Sequence, residues 1–161
     1  MFWILRFIGE RDFISRGIES WTDSLYSHVE MGNNPNGSII SNSWMGAHAD
    51  GGFQDRALDY CKPEHEKRYA IPVTQEQHAA IMAYAHGLIG TPYNFWDIAG
   101  LLLHDRKLNS AHGLICSQSM LEVGEAGGLK LLNVEKGFEY LVTPETLHLS
   151  PLLIGACIFS A

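Results

Sequence analysis

Tyr26-Ser27-His28-Val29-Glu30-Met31-Gly32-Asn33-Asn34-Pro35-Asn36-Gly37-Ser38-Ile39-Ile40-Ser41-Asn42-Ser43-Trp44 is the stretch whose reading decides the fold. Two β-prone runs flank Asn36-Gly37, a dipeptide that suits a tight hairpin turn because such turns need positive φ at their centre. A two-residue turn there pairs Glu30 with Ser43 and His28 with Met45. Ser43 then shares a face with His28, diagonally across the hairpin. A slip of one residue brings Asn42 to that face instead.

Upstream, residues 2–8 (Phe-Trp-Ile-Leu-Arg-Phe-Ile) read as a buried strand, too short for a bilayer span or a signal-peptide core. Residues 12–22 place Phe13, Ile14, Ile18 and Trp21 at helical spacing. Downstream, the Gly-, His- and Asp-rich stretch 45–56 is expected to be loop or irregular strand. Tyr69–Val73 suggests another strand. Thr74 with Gln77 forms a capping box ahead of Ile81, Tyr84, Ala85 and Leu88, and Gly90 with Pro92 ends that helix. Further helices are expected over 94–103 and from Cys116 to Glu125, the latter stopped by Gly127-Gly128. Thr143-Pro144-Glu145 starts a short turn before the last apolar run, Leu152–Phe159. Strands and helices mix without βαβ alternation, which predicts an α+β fold over a single domain, 1–161.

The 161 residues carry a formal charge of -7, with 46% hydrophobic and 18% charged residues. That balance suits a globular chain and offers no electrostatic grip on nucleic acid. No stretch reaches the length of a stable membrane insertion, and a cytoplasmic location is the simplest expectation. Three widely spaced cysteines, Cys61, Cys116 and Cys157, form neither a CxxC pair nor a disulfide framework. No HExxH or facial-triad pattern appears, and no Gly-rich phosphate loop, so neither a metal nor a cofactor is expected. His65 lies in a charged cluster. His78 and His86 sit on opposite sides of the capped helix, and His104, His112 and His148 flank expected elements.

Cys116 stands in Gly113-Leu-Ile-Cys-Ser-Gln-Ser-Met-Leu. A helix starting there sets the thiol among free backbone N–H groups that favour thiolate and could stabilise an oxyanion. The alternative is a small buried side chain. His28, on a strand, could serve as base if its second nitrogen is held. His48, in Gly46-Ala-His-Ala-Asp-Gly-Gly52, follows the strand expected beside His28.

Taken in order, these segments resemble the circularly permuted branch of the NlpC/P60 papain-like family, closest to YiiX-like hydrolases. The matching pieces are Phe7-Ile8-Gly9, Tyr26-Ser27-His28-Val29-Glu30, the hairpin with its Gly-Gly segment, and Gly90-Thr91-Pro92-Tyr93-Asn94. Cys116-Ser117-Gln118, Val142-Thr143-Pro144 and Ser150-Pro151 complete the set. The resemblance implies a permuted papain-like core, an antiparallel sheet or partial barrel packed against helices. It also implies a Cys116–His28 dyad with a third polar residue, which maps best to Ser43, with Asn42, His48 and Glu30 as the other candidates. Relatives usually carry an acid there and Cys-Ser-Glu at the nucleophile; here Ser43 and Gln118 stand instead. Tyr93 and His48 would line the substrate cleft. The implied activity is a cysteine amidase or peptidase on a peptide or other amide, cell-wall peptide among them. An acyl hydrolase or acyltransferase on lipid-like substrates, or an inactive binding module, is the alternative. The oligomeric state is left open.

Overall fold

The structure, a computed structural model, describes residues 1–9, 25–94 and 114–160. The helix expected over 12–22 lies outside them, as do Gly113 and, beyond Asn94, the helix expected over 94–103. The described elements are strands β1 (Phe2–Gly9), β2 (His28–Asn33), β3 (Ser43–His48), β4 (Gly52–Arg56) and β5 (His65–Pro72). Helices α1 (Gln75–Leu88), α2 (Cys116–Ala126) and α3 (Pro144–His148) follow, and then strand β6 (Cys157–Ser160). The architecture is α+β: an open, antiparallel six-stranded sheet in the order β4-β3-β2-β1-β5-β6, with a few helices. No described helix is long and apolar enough to cross a membrane.

β1 lies in the middle of the sheet, and its alternation shows how the two faces differ. Trp3, Leu5 and Phe7 point to one face, where Val29, Met31, Met45, Ala47, Tyr69 and Ile71 join residues of α1 and α2 in the main core. Ile4 packs on the other face with Trp44 and Ala70. Arg6 falls on that second face too, and it is 2% exposed. A lone cation inside an otherwise apolar central strand must be paired, because an isolated buried charge costs several kcal/mol.

The hairpin register differs from the sequence expectation by three positions. Met31 pairs with Met45, Gly32 with Trp44 and Asn33 with Ser43. The reason lies in Asn34 and Pro35. The buried Asn34 carboxamide donates to the carbonyls of Phe2 and Ser38, at 2.9 and 2.5 Å, and the Asn34 carbonyl accepts from Gly37 N–H at 2.7 Å. Gly37 supplies the positive φ of 64°. Pro35 has no N–H for a ladder, so β2 ends before it and residues 34–42 form a loop rather than a two-residue turn. The stretch 45–56 is more regular than expected, since β3 runs through His48 and returns as β4 with Ala47 opposite Phe53.

α1 begins as its capping box predicts, with both Thr74–Gln77 hydrogen bonds present. The Gly90–Pro92 turn is pinned to β4, where Phe53 N–H donates to the Thr91 carbonyl and Gly90 N–H to the Phe53 carbonyl. From there Leu114 N–H donates to the Pro92 carbonyl at 3.0 Å. That bond brings the segment leading into α2 alongside the turn.

Candidate active site

α2 starts at Cys116, and its N-cap residue Ile115 makes no side-chain capping bond. The first N–H groups of a helix lack intrahelical partners, so here they are left for whatever sits at the helix mouth. The Cys116 sulfur takes one of them, from Ser117, and also accepts from the backbone N–H of Val29 on β2. The registered pairs between β2 and β3 stop at Met31–Met45, and beyond that point the helix mouth meets β2. Ser117 anchors the turn by donating its hydroxyl to the Val142 carbonyl, and Ser119 donates to the Cys116 carbonyl at 2.7 Å.

The thiol is hydrogen-bonded to His28, the first residue of β2. Both side chains are buried. Burial alone would push the His28 pKa down and the Cys116 pKa up. The contact between them reverses both, helped by Glu30 for His28 and by the two backbone N–H groups for Cys116. His28 rises to about 10 and Cys116 falls below its ordinary value. A thiolate beside an imidazolium is the state these shifts favour.

Behind His28 lies a polar layer. Glu30 is fully buried two residues along β2 and hence on the same face, with its Oε2 3.7 Å from His28 Nε2. Arg6, its cross-strand partner on β1, holds Oε1 at 2.8 Å and is itself held by Glu66 at 2.8 Å. Burial works against the Arg6 charge, but Glu30 and Glu66 more than offset it. Tyr60 donates its hydroxyl to Glu30 Oε2 at 3.0 Å. His48, closing β3, stacks on His28 with ring centroids 4.6 Å apart and points its Nε2 at the same Oε2, again 3.7 Å away. Burial, then the charges of His28 and Arg56, drive the His48 pKa to about 2, so this ring stays neutral. His28, Glu30 and His48 thus form a buried donor cluster.

No family model matches the chain, and no curated protein matches it. Among solved structures, a crystal structure described as the metalloprotein YiiX from Escherichia coli O157:H7, DUF1105, superposes with a TM-score of 0.71. The match is 17% identical and covers 100% of this chain and 97% of that one. The chain has a YiiX-like fold. At that identity the likeness speaks to the fold alone.

Within this YiiX-like fold, Cys116 and His28 come together from an expected helix start and an expected strand. Ser43 does not join them. It pairs with Asn33, at the opposite end of β2 and on the opposite face of the sheet, because the Asn34 turn and Pro35 shift the register. Asn42 precedes it in the loop, donating its N–H to the Asn33 carbonyl. The acid beside His28 is Glu30, which the register error had matched to Ser43. His48 adjoins His28 in the buried layer. Tyr93 is half-buried and forms a bridge with Leu114, two residues before Cys116. Gln118 turns along its helix to Glu122 at 3.1 Å. Sequence reasoning missed Arg6 and Tyr60. Arg6 had a signal, a single cation in a buried apolar run; Tyr60 had none.

Proposed function

We propose that the chain is a thiol hydrolase of the permuted papain-like type, acting on an amide or ester carbonyl. The observation that carries this reading is the Cys116 thiol, held at an uncapped helix N-terminus and hydrogen-bonded to His28. A buried acid backs that histidine. The order of the parts supports the permuted form, with the histidine strand before the cysteine helix.

In this mechanism the Cys116 thiolate attacks the carbonyl carbon, forming the S–C bond while the π pair moves onto oxygen. The free N–H groups at the start of α2 stabilise that oxyanion. Collapse expels the amine or alkoxide, which takes the proton held by the His28 imidazolium, and leaves a thioester. Water then attacks the thioester as His28 takes its proton, and the thiolate leaves to pair again with the imidazolium. The Glu30 charge favours the imidazolium, and Arg6 with Tyr60 holds the Glu30 carboxylate in place. The acid that Ser43 could not supply is therefore present, two residues from the base.

The test is the pH dependence of iodoacetamide labelling at each cysteine, in wild type and His28→Ala. Exposed Cys157 and half-buried Cys61 serve as internal comparators. Cys116 is expected to label well below the ordinary thiol pKa of about 8.5, and to lose that advantage without His28. Equal, slow labelling of all three cysteines, unchanged in His28→Ala, would sink the proposal.

A further inference from the structure

The cluster behind the dyad has a property that thiol chemistry leaves unused. The Nε2 atoms of His28 and His48 are both buried and both lack a hydrogen-bond partner among the described residues. Each lies 3.7 Å from one carboxylate oxygen, Glu30 Oε2, which is too far for a hydrogen bond. All three donor atoms fall within 4.8 Å of one another. Tetrahedral coordination at metal–ligand distances of ~2.0–2.2 Å sets neighbouring donor atoms roughly 3.4 Å apart. The two histidine–carboxylate separations of 3.7 Å lie close to that spacing.

Two further features suit a cation. Arg6 and Tyr60 orient the carboxylate from outside, as outer-shell partners of a metal ligand do. Gly46 faces the cluster from β3, and a Cβ there would stand 2.9 Å from Glu30 Cβ and 3.5 Å from His28 Nε2. The missing side chain keeps that space open. We propose that His28, Glu30 and His48 form a divalent-cation site, selective for a borderline late first-row ion such as Zn²⁺ by its two imidazoles and one carboxylate. The site shares His28 with the dyad. On the thiol-hydrolase reading, cation binding and proton shuttling are then alternative uses of one ring, because a metal on Nε2 occupies the side of the ring that Glu30 faces.

The experiment is titration of chelator-stripped full-length protein with Co²⁺ and Zn²⁺, read by the Co²⁺ optical spectrum and by calorimetry. One equivalent is expected to bind with nitrogen and oxygen ligands, without the charge-transfer band of thiolate coordination. His48→Gln should weaken it by more than about tenfold, since even outer-shell changes cost ~10–100-fold, while His65→Gln should leave it unchanged. Absence of stoichiometric binding in wild type, a thiolate spectrum, or equal affinity in His48→Gln each overturns the site. Cys116 labelling in the same metal-free samples reports on the dyad separately. Normal labelling without cation binding removes this site and leaves the hydrolase reading standing.

Discussion

Glu30 is fully buried between a cation it pairs with and two histidines it faces, so its substitution separates charge from shape. Glu30→Gln keeps the volume but removes the negative charge that favours the His28 imidazolium. Labelling of Cys116 at pH 6 is expected to fall toward the rate of an ordinary thiol, measured by mass spectrometry of the alkylated peptides. The same change leaves Arg6 with Glu66 as its remaining partner, and breaking a buried pair costs about 3–5 kcal/mol, so the melting temperature should drop as well. Ser43→Ala is the contrasting control. Its side chain lies on the far face, across from Asn33, and Cys116 labelling is expected to match wild type at every pH. A loss of reactivity in Ser43→Ala would contradict the observed register.

The elements that position the site are fixed by short-range signals of unequal strength. The Thr74–Gln77 capping box satisfies two N–H groups at the start of α1, and α1 packs against α2. Thr74→Ala is expected to cost about 1 kcal/mol by chemical denaturation, with Cys116 reactivity unchanged while the protein stays folded. A loss above about 2 kcal/mol would mean that Thr74 does more than cap. α2 behaves differently, because its N-terminus carries no side-chain cap and places its free N–H groups at the thiol. The hairpin shows where local signals mislead. Asn36-Gly37 is a strong turn dipeptide, yet Asn34 makes the turn because its carboxamide reaches the Phe2 carbonyl of a strand distant in sequence.

Across the whole molecule, the shifted groups set how stability depends on pH. Between about 6.5 and 8.5, the ordinary pKa values of histidine and cysteine, the raised His28 pKa and the lowered Cys116 pKa act in opposite directions on stability. Below about 6.5 the unfolded chain binds a proton at His48, whereas the folded protein keeps that ring neutral down to about 2. Stability should therefore fall as pH drops, by about 1.4 kcal/mol per unit from that one proton. Above about 8.5 the folded His28 keeps its proton up to about 10, and stability should fall by about 1.4 kcal/mol per unit. Urea denaturation across pH 5–10 in chelator-containing buffer measures both limbs. His48→Gln should remove its share of about 1.4 kcal/mol per unit from the acid slope and leave the alkaline limb intact; an unchanged acid slope would show that His48 is not the group responsible.

By itself, the sequence determined the pieces that rest on near neighbours. These are the buried strand over 2–8, the capped helix after Thr74, the α+β mixture, and Cys116 as a helix start. Each depends on periodicity or on bonds spanning three or four residues, which a linear reading contains. The register of β2 against β3 was decided only in three dimensions, by a carboxamide bonding to another strand and by a proline without an N–H. That register chose Glu30 rather than Ser43 as the acid beside His28, and it set His48 against His28. The pairing of Arg6 with Glu30 and the arrival of Tyr60 are likewise tertiary. Residues 24 and 30 positions apart leave no mark of their contact in the chain, and low-dielectric burial, which gives those charges their effect, exists only once the sheet has closed around them.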